Sequence, residues 1–292
     1  MSTTKWHSFR RLLYETWLSW NAHKAPKMGA ALAYYTTFAM APLVVLTVGV
    51  VGLVVEQHAA REAIVAQLST LIGAEGGAMA EAIFTHSAQP AAGVWATLIG
   101  FVVLLIGASG VFIELQDSLN TIWAVPPREG SWRGLIQERL LSFAMVFALG
   151  FLVLVSLLLS AGIAALSARL KFWAPPGFDL VWESANSLIS FVVILLLFAA
   201  IYRFLPDVRI AWRDVWTGAA MTAALFILGK YLLGIYLGHS AFASAYGAAG
   251  SLIIILVWVF YSAQIFFLGA EFTCVFARRH GSHAQPVLLH GV

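Results

Sequence analysis

The chain has 292 residues, of which 61% are hydrophobic and only 11% are Asp, Glu, Lys or Arg. Its mean hydropathy is +0.85, whereas a soluble domain runs at about 45–50% apolar and about 25% charged. So few charges cannot cover a water-facing surface, which excludes a soluble enzyme and a disordered chain and leaves an integral membrane protein. The net charge of +3 is too small to point to nucleic acid, and the single Cys274 excludes an intramolecular disulfide or a cysteine zinc site.

A helix crossing the roughly 30 Å hydrocarbon core needs about 20 mostly apolar residues. After a cytoplasmic segment at 1–28, such stretches lie at 29–55, 91–115, 140–166, 184–204, 212–237 and 251–273. The expected fold is all-α: a polytopic membrane domain of six transmembrane helices over 29–277, followed by a flexible tail at 278–292. Ala39-Met40-Ala41 imitates a signal-peptidase site, but the apolar run continues well past it, so the first stretch reads as a retained span. Ala30, Ala33, Thr37 and Ala41 form a small-residue ridge on that span, with Tyr34 beside it and Pro42 bending the helix.

Between the first two spans, Ile64, Val65, Leu68, Leu71 and Ile72 keep helical spacing among Arg61, Glu62 and Gln67. Gly73, Gly76 and Gly77 interrupt the pattern, so short amphipathic helices are expected on the outer surface, either capping the bundle or docking a partner. The uncharged segment 239–250 carries Phe242, Tyr246, Gly247 and Gly250 and reads as an interfacial or re-entrant hairpin.

Orientation follows from the Lys and Arg bias of short loops. Lys5, Arg10, Arg11, Lys24, Lys27, Arg128, Arg133, Arg139, Arg203, Arg209, Arg213, Arg278 and Arg279 fall on one side. Only Arg61, Arg169 and Lys171 fall on the other. Both termini are expected in the cytoplasm.

Polar groups within spans are costly and are functional candidates by default. At 100° per residue, Gly107, Gly110, Glu114, Asp117, Ser118 and Thr121 share one face of the second span, which is expected to face the bundle. Glu114 and Asp117 could handle a cation or proton, or pair with inner-surface arginines. Lys230 lies about 24 Å along its helix from Asp214. Its side chain either snorkels to the outer headgroups or lines a crevice between helices and attracts an anion. Glu271, at the inner end of the last span, either joins a polar passage or pairs with an arginine. The candidate passage is therefore Tyr34, Glu114, Asp117, Lys230, Tyr246 and Glu271.

No phosphate-binding loop, dinucleotide fingerprint or His-Glu-x-x-His motif occurs. The eight histidines are scattered over both sides, so no metal site, no cofactor and no enzymatic activity are expected.

The order of several short motifs resembles the YihY/BrkB family of bacterial inner-membrane proteins. These are Gly29-Ala30-Ala31-Leu32-Ala33-Tyr34-Tyr35 leading to Pro42, Ala108-Ser109-Gly110-Val111-Phe112, and Leu119-Asn120-Thr121-Ile122-Trp123. Then follow Tyr202-Arg203-Phe204-Leu205-Pro206-Asp207, Trp212-Arg213-Asp214 with Gly218, Tyr246-Gly247-Ala248-Ala249-Gly250, and Leu268-Gly269-Ala270-Glu271. The resemblance implies six helices, cytoplasmic termini, a location in the inner membrane and a link to virulence and serum resistance. Family members also carry an older ribonuclease BN label; that activity needs a His-x-His-x-Asp-His cluster, which this chain lacks. Expected functions are transport or translocation of an anionic or lipid-like envelope molecule, or a non-transporting scaffold acting through a partner, with the lipid bilayer as the common partner.

Overall fold

The computed structural model describes residues 3–51, 110–126, 178–238 and 250–281, with scattered positions between 61 and 81. Among the described residues all regular structure is helical. We number the helices α1 (Thr3–Ala22), α2 (Ala25–Val51), α3 (the helical residues 110–122), α4 (Phe178–Phe204), α5 (Trp212–Gly238) and α6 (Gly250–His280). The expected spans at 140–166 and most of 91–115, the segment 239–249 and the tail beyond 281 lie outside the described residues.

Ends of helices follow local chemistry. The α1–α2 turn places Lys24 at φ 56°, and Pro26 opens α2, where its missing N–H costs no helical bond. Ala124 takes φ 54° after α3, and the Val125 N–H returns to the Asn120 carbonyl at 2.8 Å while the Ala124 N–H returns to Thr121 at 3.1 Å. That is the paired closure of a left-handed helix stop. Pro206 follows the end of α4 and lets the chain reverse into α5, whose first turn carries Asp214 at the positive pole of the helix.

Three described helices are long and apolar enough to cross a membrane: Ser187–Phe204, Trp212–Leu233 and Ile253–Arg279. Only 33% of each stretch is buried by protein. The remainder carries Leu188, Val192, Leu196, Leu228, Leu232, Ile235 and Phe260 outward, a surface suited to lipid rather than water. The helix α1 was not anticipated within 1–28: its charges hide the pattern, and its helical form rests on packing against α6.

α6 is the hub. It packs against α1, α2 and α5, while α4 pairs with α5. The core gathers Leu32 of α2, Phe112, Leu115, Leu119 and Ile122 of α3, Phe198 and Tyr202 of α4, Val215 of α5, and Phe266 and Phe267 of α6. Burying a side chain of that size is worth about 1.5–3 kcal/mol relative to water, although in lipid the gain comes from packing.

The α5–α6 seam is an interlock of two glycine–threonine pairs. Gly218 faces Thr273, and Thr222 faces Gly269; a methyl built on either glycine would collide with the opposing threonine. Each threonine hydroxyl donates to its own helix, Thr222 to the Gly218 carbonyl and Thr273 to the Gly269 carbonyl, both at 2.7 Å. Glycine here permits close backbone approach, and the intrahelical bonds satisfy hydroxyls that lipid could not.

Between α2 and α3, the described positions at 61–62, 65–66, 69, 77–78 and 80–81 are helical. Arg61 pairs with Glu81 at 2.9 Å, and Gly77 sits against Ser69, so the two pieces run antiparallel. This is the arrangement expected of two short helices.

Candidate functional site

Polar side chains concentrate at one end of the helices. α1 and the final turns of α6 run antiparallel: Glu15 binds both Arg11, at 3.5 Å, and Arg279, and further along His23 meets Glu271. Leu12 packs with Phe272 and Val275 between these contacts. The α3 stop and the α4–α5 loop are at the same end, because Ile122 accepts from the Cys274 thiol of α6 at 3.4 Å and Asp207 is tied to Asn120.

Glu271 is the most unusual group there. It is 0% exposed, and its Oε1 shares a 2.6 Å hydrogen bond with His23 Nδ1. Which of the two atoms donates depends on the tautomer of the His23 ring. Oε2 is buried without a hydrogen-bond partner. Two turns earlier on the same helix, the buried amide of Gln264 lies against Gly29 of α2, and both of its polar atoms also lack a partner, as does Trp20 Nε1 on α1. The partner of Glu271 is thus a histidine from the α1–α2 turn, not one of the expected arginines. Burying the carboxylate close to α1 keeps it from surface guanidinium groups.

A second cluster fixes the α4–α5 loop. Asn120 Nδ2 donates to Asp207 Oδ2 at 3.0 Å while the Asp207 N–H donates to Asn120 Oδ1 at 2.9 Å, and Gln116 Nε2 adds a 3.3 Å bond. Arg203 reaches the Ile210 carbonyl and stands 5.5 Å above the Trp212 ring.

The polar face of α3 is split: Ser118 is buried and Gly110 packs against Tyr35 of α2, but the carboxylates do not point into the bundle. Phe112, Leu115, Leu119 and Ile122 are buried in the core, whereas Asp117 and Thr121 are exposed and Glu114 is half-buried. Near the end of a span water is within reach, so the apolar face turns inward and the carboxylates turn outward. Partial burial, with the charge of Asp207 second, still pushes Asp117 above the usual carboxylate range.

Lys230 lies in a shallow, open crevice between α5 and α6, lined by Phe226, Leu233, Trp258, Tyr261, Ser262 and Ile265, which encloses no cavity of its own. Its ammonium is 5.6 Å from the centre of the Tyr231 ring. Gly229 makes room by letting Tyr261 and Ile265 approach α5. Tyr34 is 58% exposed and packs on Phe38, with ring centres 4.8 Å apart. The buried line of α2 is Ala25, Gly29, Leu32, Ala33 and Ala39, so Ala30 is exposed rather than part of the ridge.

The six candidates of the passage do not assemble around one point. Glu271, Glu114 and Asp117 belong to the arginine-rich end, Lys230 to the other half of α5, Tyr34 to the outer face of α2, and Tyr246 lies outside the described residues. Sequence reasoning missed His23, Gln264, Asn120 and Asp207 as partners. The signal for Gln264 was present as an uncharged polar residue inside an apolar run. The pairing of His23 with Glu271 spans 248 positions and leaves no local trace.

Comparison with known proteins fits this arrangement. The profile of the family described as "Virulence factor BrkB" matches residues 16–287. The chain belongs to the BrkB family. A UPF0761 membrane protein of Pseudomonas paraeruginosa is 28% identical over 277 residues, covering 92% of this chain and 64% of that protein. A UPF0761 membrane protein of Azotobacter vinelandii is 28% identical over 96% of this chain and 66% of its own length. One from Verminephrobacter eiseniae is 31% identical over 60% of this chain and 40% of its own. The chain therefore spans less than two thirds of the length of these relatives. No solved structure matches it.

Proposed function

We propose that this BrkB-family protein resides in the bacterial inner membrane with both termini in the cytoplasm and translocates an anionic, lipid-like envelope molecule. The observation that carries the reading is the Lys230 crevice. It sets an ammonium and the Ser262 hydroxyl among the aromatic rings of Trp258 and Tyr261, next to the exposed apolar residues Leu228, Tyr231 and Leu232. An amphiphile matches such a surface, with its anionic head on Lys230 and its chains along the outer face of α5. The reading includes no enzymatic step, in keeping with relatives that are named only as membrane proteins.

The test uses the purified chain in vesicles containing a fluorescent phosphatidylglycerol, following transbilayer movement by chemical quenching of the outer leaflet. Protein-containing vesicles should exceed protein-free ones. Lys230→Gln should lose most of the difference and Lys230→Arg retain part, since arginine keeps the charge in a bulkier head. Movement equal to protein-free vesicles, or unaltered by Lys230→Gln, defeats the assignment. A scaffold role is the second reading, favoured by the Arg61–Glu81 hairpin presented in the outer segment.

A further inference from the structure

The helix α1 has two faces. Leu12 and Thr16 are buried against α6, while Leu13, Tyr14, Trp17 and Leu18 are exposed, Tyr14 by 63% and Trp17 by 53%. An uncovered aromatic and aliphatic stripe is costly in water and needs an occupant. Its position identifies one. α1 lies alongside the last turns of α6, with Glu15 opposite Arg279 and His23 opposite Glu271, where the apolar stretch Ile253–Arg279 runs out. That is the depth at which Trp and Tyr collect at a membrane boundary.

The charge around the stripe is mainly basic, with Glu15 as the acidic exception. Arg10, Arg11, Lys24, Lys27 and Arg278 are all exposed there, and Glu15 engages Arg11 and Arg279. Among the described residues no acidic side chain pairs with Arg10, Lys24 or Lys27. On the helical wheel Arg10 sits at the centre of the outward face, between Trp17 and Tyr14.

We propose that the outward face of α1, with the α1–α2 turn, is a binding site for anionic phospholipid headgroups of the inner leaflet. Leu13, Trp17 and Leu18 enter the acyl boundary, Tyr14 lies at headgroup level, and Arg10, Lys24 and Lys27 hold phosphate. The site is separate from the Lys230 crevice and requires no transport. Lys24 and Lys27 begin α2, so headgroups bound there fix the angle at which the first apolar helix leaves the membrane surface. The same contact keeps α1 against α6, holding His23 over Glu271.

The experiment places the full chain in nanodiscs of phosphatidylcholine, with or without phosphatidylglycerol, and an environment-sensitive fluorophore on Leu18→Cys. Cys274 is buried, so labelling is confined to the introduced thiol. Phosphatidylglycerol should shift emission to the blue and make it quenchable by shallow lipid-borne spin labels, reversibly with salt. Replacing Arg10, Lys24 and Lys27 by Gln should weaken the preference for phosphatidylglycerol by about fivefold per charge. As a second measurement, mass spectrometry of the purified chain should find phosphatidylglycerol retained over phosphatidylethanolamine, and this enrichment should fall in the triple variant. Water-like emission in both nanodiscs overturns the proposal, as does an equal blue shift in pure phosphatidylcholine. Energy transfer between labelled copies that accounts for the shift would assign the face to a second chain instead and equally overturns it.

Discussion

At the scale of single residues, the His23–Glu271 pair makes the sharpest demand. Its carboxylate has no exposure while its imidazole keeps 27%, so removing His23 strands the carboxylate, whereas removing Glu271 leaves a histidine that water can reach. His23→Ala should lower stability by about 1.5–3 kcal/mol, the range for a hydrogen bond to a charged group. Glu271→Gln should cost less, because an amide can still hydrogen-bond Nδ1 as donor or as acceptor. Thermal unfolding in detergent, followed by loss of monodisperse protein, ranks the two; a harmless His23→Ala would mean that the pair holds nothing in place. A second expectation concerns Asp117, whose folded carboxyl is held above its ordinary value by burial and by Asp207. For an acid shifted upward, the native state favours the protonated form. The resulting stability is present at acid pH and is lost as pH rises through the raised value. Asp117→Asn should therefore match the wild type at acid pH and unfold at a higher temperature than it at neutral pH. Identical curves at both would show that neither burial nor Asp207 acts on this carboxyl. What sequence supplied at this scale was residue type: Glu271 and Lys230 stand out because charges inside apolar runs are conspicuous. Their partners were hidden because hydrogen bonds between distant helices follow no spacing rule.

Elements were more legible than sites, and α4, α5 and α6 show why. Each is an apolar run bounded by Arg, Pro or Gly, and composition alone locates such a run. The helix α3 reads correctly as amphipathic but its facing does not, since a stripe of small and acidic residues suits either a bundle interior or a water-facing end. The close seam between α5 and α6 was invisible for another reason. Gly218 with Thr222, and Gly269 with Thr273, are two copies of one four-residue spacing, yet only the antiparallel register makes them complementary. This register predicts a specific coupling. Gly218→Ala places a methyl on the Thr273 side chain and should cost about 1–3 kcal/mol through overpacking. Thr273→Ala removes the hydroxyl that this methyl meets first and leaves only a Cβ contact to relax, so the double variant should be more stable than the sum of the single effects requires, by at least about 0.5 kcal/mol. Additive behaviour at Gly218 and Thr273 would contradict the register of the seam.

For the whole molecule, two separate arguments meet at the same end. The structure joins the final turns of α6, the helix α1 and the α4–α5 loop through Glu15–Arg279, Cys274–Ile122 and Asn120–Asp207. That places these parts on one side of the membrane without saying which. The proposed cytoplasmic direction rests on the Lys and Arg bias, since the same parts hold Arg10, Arg11, Arg203, Arg209, Arg213, Arg278 and Arg279. Single cysteines at Arg209 and Arg278, both exposed, and at Glu62 in the outer segment test the two arguments independently. With a membrane-impermeant maleimide, Arg209→Cys and Arg278→Cys should react in inside-out vesicles and stay unlabelled in right-side-out ones. Glu62→Cys should do the reverse, while native Cys274 stays unlabelled in both because it is buried. Labelling of Arg209→Cys and Arg278→Cys from opposite sides would break the helix arrangement itself. Labelling of both from outside would leave the arrangement intact and reverse the orientation, moving the basic face of α1 to the outer leaflet and the Lys230 crevice toward the cytoplasm.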